Sequence, residues 1–104
     1  MIVCVESPYA GNVAFNVEYA KLAMKDSLSR GEAPFLSHLL YTQVLDDTNP
    51  IDRHAGIEAG LMFQQVAGLL AVYVDLGITP GMSLAIDRAR ENKIPVQYRH
   101  LFIR

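Results

Sequence analysis

The sequence predicts a small α/β protein, a three-layer sandwich in which helices cover both faces of a parallel sheet of four or five strands. Short apolar runs with the composition of buried strands alternate along the chain with segments whose apolar residues recur at helical spacing. Turn residues separate these segments, and right-handed crossovers would place the helices on both faces. The chain has 104 residues and no repeat, linker or low-complexity stretch. We therefore expect a single domain that spans residues 1–104.

The first half of the chain predicts a strand, a helix and a second strand. Ile2 to Val5 is an apolar run that suits a central strand, since both of its faces would be buried. The following helix ends at Arg30-Gly31, as expected for a helix C-terminus. Its predicted apolar stripe consists of Val13, Val17, Ala20, Met24 and Leu28. Pro34 to Tyr41 is the second predicted strand.

The middle of the chain predicts a loop, a helix and a third strand. Gln43 to Asp52 is polar and long enough to lie over a site. Arg53 to Val66 has the pattern of a helix, although Gly56 and Gly60 weaken it. These glycines would allow close helix packing. Leu69 to Val74 is the third predicted strand.

The last part of the chain predicts a turn, a helix and a fourth strand. Thr79 suits an N-cap, and Pro80 sits in the first turn, where a missing N–H has no cost. The helix closes at Asn92-Lys93, before a strand from Ile94 to Tyr98. His100 to Arg104 is either a tail or a short fifth strand.

Composition excludes several classes of function. The net charge is −2 and the basic residues are scattered, which disfavours binding to a nucleic-acid polymer. Cys4 is the only cysteine, so no internal disulfide can form, which fits a reducing compartment and a cytoplasmic protein. No stretch has the pattern of a secretory leader or a membrane span. The histidines and Cys4 lack metal-ligand spacing, and we expect neither a metal nor a cofactor.

Three loops point to one site. In parallel sheets, ligands bind beyond the carboxyl ends of the strands, and the unusual residues of this chain lie in the loops expected there. These loops are Glu6 to Asn12, Gln43 to Asp52 and Asp75 to Gly81. The third places free backbone N–H groups and the positive end of a helix dipole at a strand end, which suits a phosphate or another anion. Gly77 and Gly81 are also consistent with a tight turn that binds nothing.

Two of these loops carry a family resemblance. Ser7-Pro8-Tyr9 with Gly11, after the first strand, resembles the small-residue, Pro, aromatic loop of the nucleoside 2-deoxyribosyltransferase-like superfamily, which includes nucleotide N-glycosidases. Pro80-Gly81-Met82 through Pro95-Val96 resembles that family's Pro-Gly-Thr-x-x-Glu turn, its helix and the next strand. A small phage-type branch of uncharacterised proteins is more similar still, at Ser7-Pro8-Tyr9, Asn16, His38, Arg53 and residues 77–82.

The resemblance implies a flavodoxin- or Rossmann-like sheet of order about 2-1-3-4-5, in a homodimer or larger homo-oligomer that binds a nucleoside or nucleotide. In that family a glutamate attacks the anomeric carbon to form a glycosyl-enzyme, which water or a second base resolves. The motif places this glutamate three residues after Met82, where this chain has Ala85. An acidic residue often found before the third strand falls near Gly68 and is also absent.

Two carboxylates are candidates for the missing catalytic role, because Glu6 and Asp75 end the first and third predicted strands. A cap, a solvated charge, or an ion pair with Arg53 or Arg99 would explain either one equally well. Asp75 would also repel a phosphate at the neighbouring turn. The predicted ligand-binding residues are Ser7, Tyr9, Gly11, Asn16, His38, Arg53, Gly77, Thr79, Gly81 and Met82.

Three functions remain open at this point. The leading one is a nucleoside or nucleotide binder without turnover. The second is an N-glycosidase or deoxyribosyltransferase that acts on a nucleoside or its 5′-monophosphate through a relocated carboxylate. The third is a protein–protein interaction module on a degenerate enzyme fold. An intact concave cleft would favour the first two, and a filled cleft with an exposed apolar patch the third. We expect no membrane partner.

Overall fold

The computed structural model describes residues 1–102, which form a four-stranded parallel sheet of order β2-β1-β3-β4. The strands are β1 (Ile2–Glu6), β2 (Ala33–Phe35), β3 (Leu69–Tyr73) and β4 (Val96–Arg99). The helices are α1 (Val13–Ser29), α2 (Ser37–Leu40), α3 (Pro50–Gln64) and α4 (Pro80–Glu91), with a 3₁₀ turn at Tyr41–Gln43. The predicted fold class and strand order are confirmed. Residues 100–102 form no strand, and Ile103 and Arg104 of the predicted tail lie outside the described residues.

The central strand β1 separates two apolar cores. Val3 and Val5 point to one face and pack with α1, together with Tyr19. Side chains alternate along a strand, so Cys4 points to the other face, where it packs with Met82 and other residues of α4. Glu6 follows Cys4 by two residues and therefore lies on the α4 side of the sheet. None of the helices formed by residues 1–102 is long and apolar enough to cross a membrane.

The predicted stripe of α1 was right at Ala20 and Met24, which pack in the core, and wrong at its two ends. Val13 is 39% exposed and Leu28 is 57% exposed, so both ends of that stripe face outward. The buried residues of this helix are Asn16, Tyr19, Ala20, Ala23 and Ser27. Two of these are small polar side chains that have local partners, as the Ser27 hydroxyl shows by donating to Glu32 at 2.8 Å. Hydrogen bonding therefore lets polar residues replace apolar ones on the buried face.

The second predicted strand, Pro34 to Tyr41, is also corrected. Strand β2 ends at Phe35, and the apolar residues that follow form α2 and the 3₁₀ turn. A short apolar run suits a buried strand and a buried helix turn equally well, and packing against α3 decides for the helix here. At the contact between α2 and α3, a Cβ on Gly60 would lie 2.9 Å from the Ser37 hydroxyl oxygen. A glycine in mid-helix is therefore needed for this close approach.

The polar loop is shorter than predicted because α3 begins early. Asn49 caps the helix, since its side-chain oxygen accepts hydrogen bonds from the backbone N–H groups of Ile51 and Asp52. Pro50 occupies the first turn. Helix α3 therefore carries Arg53 in its first turn, beside the carboxyl ends of the strands.

Candidate functional site

A cavity of about 400 Å³ opens at the carboxyl ends of the strands, between the β1 loop, α3 and the start of α4. Its volume lies in the range of small-molecule sites, roughly 300–1,000 Å³. Most of the residues predicted from the sequence line it, namely Glu6, Ser7, Tyr9, Gly11, His38, Arg53, Thr79, Gly81 and Met82. Asn16, Asp75 and Gly77 do not belong to the lining.

Asp75 lies away from the cavity, against α1 and the last described residues. Its carboxylate accepts a hydrogen bond from the Tyr19 hydroxyl and others from the backbone N–H groups of Leu101 and Phe102, at 2.8 and 3.1 Å. Burial alone would raise the pKa of Asp75, but these hydrogen bonds and the nearby His100 lower it on balance. The carboxylate is thus ionised and engaged in holding residues 101 and 102 against α1.

The other two residues outside the lining have structural roles next to it. The Asn16 amide donates to the carbonyl oxygens of Tyr9 and Ala10, at 3.1 and 3.0 Å, and so holds the first loop against α1. Gly77 has φ +92°, a conformation that favours glycine, and its N–H donates to Val74 at 3.0 Å. Asn16 positions the cavity wall, and Gly77 makes the turn before α4.

Glu6 brings a carboxyl group without a partner into the cavity. No hydrogen bond or ion pair to this carboxyl is formed by any residue from 1 to 102. The side chain is half-buried in the cavity wall, and this burial raises the pKa of Glu6 from its ordinary 4.5 to about 8. At neutral pH most molecules therefore carry a protonated Glu6, which can both donate and accept a hydrogen bond. Burial, and next the Glu6 charge, also raise the pKa of the Cys4 thiol to about 11.

Ser7 and His38 form a neutral polar pair on the cavity wall. The Ser7 hydroxyl oxygen and His38 Nε2 are 2.7 Å apart, and the tautomer decides which of them donates. Burial lowers the pKa of His38 to about 4, so the imidazole is uncharged at neutral pH. The pair therefore offers hydrogen bonding to a ligand without a net charge.

The start of α4 forms a positively polarised corner. Thr79 caps the helix, since its hydroxyl accepts a hydrogen bond from the Met82 N–H at 3.2 Å. In the first turn of α4 the Gly81 N–H therefore remains free to bind a ligand. The Arg53 guanidinium lies 3.9 Å from the position that a Cβ on Gly81 would take. Arg53 also pairs with Asp47 at 3.5 Å. A cation, a free N–H and a helix dipole thus meet at one side of the cavity.

Sequence reasoning missed Gln64, which lines the same cavity from α3. It is only 2% exposed, and its amide nitrogen donates to the Ala85 carbonyl at 2.8 Å. A signal was present in the sequence, because Gln64 follows Ile57, Gly60 and Leu61 at helical spacing on the face of α3 that lines the cavity. A polar residue on such a stripe indicates a buried hydrogen bond or a ligand contact.

Residues 1–99 match the protein family described as "Domain of unknown function (DUF7768)". The chain belongs to this family. A search of curated proteins found no match. No group of three or more metal-ligating side chains occurs within residues 1–102.

This DUF7768 member also resembles a solved structure, a 2-deoxyribosyltransferase from the psychrotolerant bacterium Bacillus psychrosaccharolyticus, which is described as a biocatalyst for nucleoside synthesis. The TM-score is 0.77, and the alignment covers 100% of this chain and 77% of that one. Sequence identity is 12%, so the likeness shows a shared fold and nothing further. The fold relationship implied by the sequence resemblance is confirmed, whereas the phage-type branch stays a prediction.

Position 85, where the sequence resemblance implies a glutamate, lies in the wall of the cavity. Ala85 is buried on the face of α4 that packs against Cys4, and it lines the same cavity as Glu6. A side chain at position 85 and the side chain of Glu6 therefore enter one space from two directions, from the helix and from the sheet. The chain has a carboxyl group in this space, but it comes from β1 instead of α4.

Proposed function

We propose that this DUF7768 protein binds a nucleoside or a nucleoside phosphate in the cavity. The observation that carries the proposal is the composition of the cavity wall. A single space of about 400 Å³ combines a cationic corner with neutral polar groups and an unpartnered carboxyl. A phosphorylated nucleoside has the matching parts, an anion at one end and hydrogen-bonding sugar and base groups at the other.

The phosphate is assigned to the corner at the start of α4. Arg53 supplies charge, the Gly81 N–H a free donor, and the twelve-residue helix its positive dipole end. Gly81 also leaves room for an anion, because a Cβ there would have no neighbour closer than 3.9 Å. The sugar and base are assigned to the wall formed by Glu6, the Ser7–His38 pair and the Tyr9 ring, which suits stacking against a base.

The first experiment incubates the protein with a mixture of nucleosides and nucleoside 5′-monophosphates and identifies retained ligands and released bases by mass spectrometry. Affinities for retained ligands then follow from calorimetry. The variant Gly81→Asp places a carboxylate beside Arg53, and we expect it to weaken monophosphate binding by about tenfold or more while affecting the nucleoside less. Gly81→Ala is the matched control, since its methyl group fits without a clash. A wild-type protein that retains no nucleoside or nucleotide would refute the proposal, as would equal effects of the two substitutions.

A second candidate function, N-glycoside hydrolysis, is favoured specifically by Glu6. A carboxyl with pKa about 8 is protonated at neutral pH, which suits a general acid better than a nucleophile. In such a reaction the N-glycosidic bond breaks as Glu6 gives its proton to the leaving base. Water then adds its oxygen to the anomeric carbon and returns a proton to the Glu6 carboxylate. Free base released by the wild type and not by Glu6→Gln would establish this activity, and intact recovery of every ligand would exclude it.

The interaction module is the function least supported by the geometry. The cleft is open, and its polar groups retain hydrogen-bonding capacity. Met62, Phe63 and Val66 do expose apolar surface near the end of α3, with 70%, 45% and 67% of their area accessible. Homodimer or larger assembly, a cytoplasmic location and the absence of nucleic-acid, membrane and cofactor partners stay predictions, and size-exclusion chromatography with light scattering tests the first of them.

A further inference from the structure

Gln64 has a buried acceptor with no protein partner. Its Oε1 is the one buried side-chain nitrogen or oxygen atom left without a hydrogen bond by residues 1–102. The residue is 2% exposed and lines the cavity. A buried acceptor that stays unpaired costs about 1–3 kcal/mol, so a methionine or leucine of similar size would be more favourable here unless something else pairs with the oxygen.

The orientation of this amide is determined by its other end. Its nitrogen donates to the Ala85 carbonyl at 2.8 Å, and a carbonyl can only accept, so exchanging the nitrogen and oxygen positions would place two acceptors against each other. Gln64 therefore keeps its nitrogen on α4 and has only Oε1 to offer to the cavity. This hydrogen bond joins α3 to α4 and fixes one end of the Gln64 amide.

The surroundings of Oε1 leave the donor to a ligand. Ala85 contributes only a methyl group, and Leu61 only hydrocarbon, to the lining near this bridge. Other polar groups also line the cavity, among them the Glu6 carboxyl, the Cys4 thiol and the Ser37 hydroxyl. None of them forms a hydrogen bond with Gln64 Oε1. Oε1 therefore has no donor within residues 1–102, and Gln64 lies in the cavity wall, where a ligand can supply one.

We infer that Gln64 Oε1 is a specificity-determining acceptor, which accepts a hydrogen bond from an N–H group on the base of the bound nucleoside. This inference rests on the proposed function and adds the chemical class of the base, one that presents an amino or ring N–H to the buried wall. A base that lacks this donor leaves a buried acceptor unpaired. Sites of that kind reject the deficient ligand far more strongly than sites that only lose apolar contact.

The test compares ligands that differ by a single donor. Adenosine is paired with purine riboside, guanosine with inosine, and cytidine with 2-pyrimidinone riboside, and dissociation constants are measured by calorimetry. For the wild type we expect at least one pair to differ by about tenfold or more in favour of the amino-bearing member. In Gln64→Met that ratio should fall to about twofold or less, with the amino-lacking ligand bound as well as before. Gln65→Met, at the exposed neighbouring residue of the same helix segment, should keep the wild-type ratio.

The outcomes separate this inference from the proposed function. If nucleosides bind the wild type but no pair is discriminated, the inference is overturned and the proposed function stands, a result that does not depend on any variant folding. If Gln64→Met keeps the discrimination and Glu6→Gln removes it, the acceptor is Glu6 and the inference is again overturned. If no nucleoside or nucleotide binds, both fail together.

Discussion

Glu6 makes the stability of the free protein depend on pH, and the dependence has an unusual sign. In the folded state the pKa of Glu6 is about 8, whereas an exposed glutamate in the unfolded chain titrates near 4.5. Between these two values the unfolded chain has lost the proton and the folded chain retains it, so stability falls as pH rises, by about 1.4 kcal/mol per pH unit. The difference of 8 − 4.5 = 3.5 units corresponds to a loss of about 5 kcal/mol once the pH exceeds the folded-state pKa.

The variant Glu6→Gln isolates this effect, because glutamine has a similar shape and no charge. Urea unfolding at a series of pH values from about 5 to about 9 gives the free energy of unfolding for the wild type and the variant. We expect similar stabilities at the acid end and a variant more stable by several kcal/mol at the alkaline end. Glu58 is exposed on α3 and has no partner within residues 1–102. The free energy of unfolding of Glu58→Gln should therefore differ from that of the wild type by the same amount at every pH. A difference between wild type and Glu6→Gln that does not grow with pH would refute the burial of an unpartnered carboxyl.

Two further predictions concern the frame around the site. The Arg99 side chain is 3% exposed and donates two hydrogen bonds to Glu32, at 2.8 and 2.6 Å. Arg99→Met should cost about 3 kcal/mol in urea unfolding, because the Glu32 carboxylate, 14% exposed, then keeps only the hydrogen bond from Ser27. Lys21→Met breaks an exposed ion pair with Glu18 and should cost less than about 1 kcal/mol. If Lys21→Met and Arg99→Met cost the same, the buried Arg99–Glu32 pair does not stabilise the fold as described. Gly77→Ala should destabilise by about 1–2 kcal/mol through its φ of +92° alone, because nothing lies within 4 Å of the added methyl group. A Gly77→Ala variant as stable as the wild type would show that the turn adopts another conformation.

The fold was predictable where local sequence and burial agree. Strands β1 and β3 have apolar residues on both faces, and Thr79-Pro80 marks the start of α4 by cap and first-turn chemistry. Prediction failed where tertiary contacts decide between two conformations of one sequence. The apolar residues after Phe35 satisfy a strand and a helix turn equally, and the Gly60–Ser37 approach that selects the helix cannot be read from either segment alone.

The candidate site was predictable in its location more than in the roles of its residues. A parallel sheet places its loops and the starts of its helices at one edge, so Ser7, Arg53 and Gly81 come together from the topology alone. Whether a carboxylate is free or engaged depends on partners distant in the sequence, and Asp75 is satisfied by residues 56 and 26 positions away. Sequence alone shows Glu6 and Asp75 as equivalent strand-end carboxylates, and only the structure separates them.

The position of the Glu6 carboxyl on β1, and not on α4, has a chemical consequence for the proposed function. A carboxylate must be ionised to attack an anomeric carbon, and Glu6, buried without a partner, is largely protonated at neutral pH. A second carboxyl at position 85 would enter the same cavity, and like charges would raise the pKa of both groups further. With alanine at position 85, Glu6 has no second carboxyl group facing it from α4, and the Ala85 carbonyl accepts a hydrogen bond from Gln64. On the proposed function, a protonated Glu6 suits the recognition or protonation of a base better than an attack on the sugar.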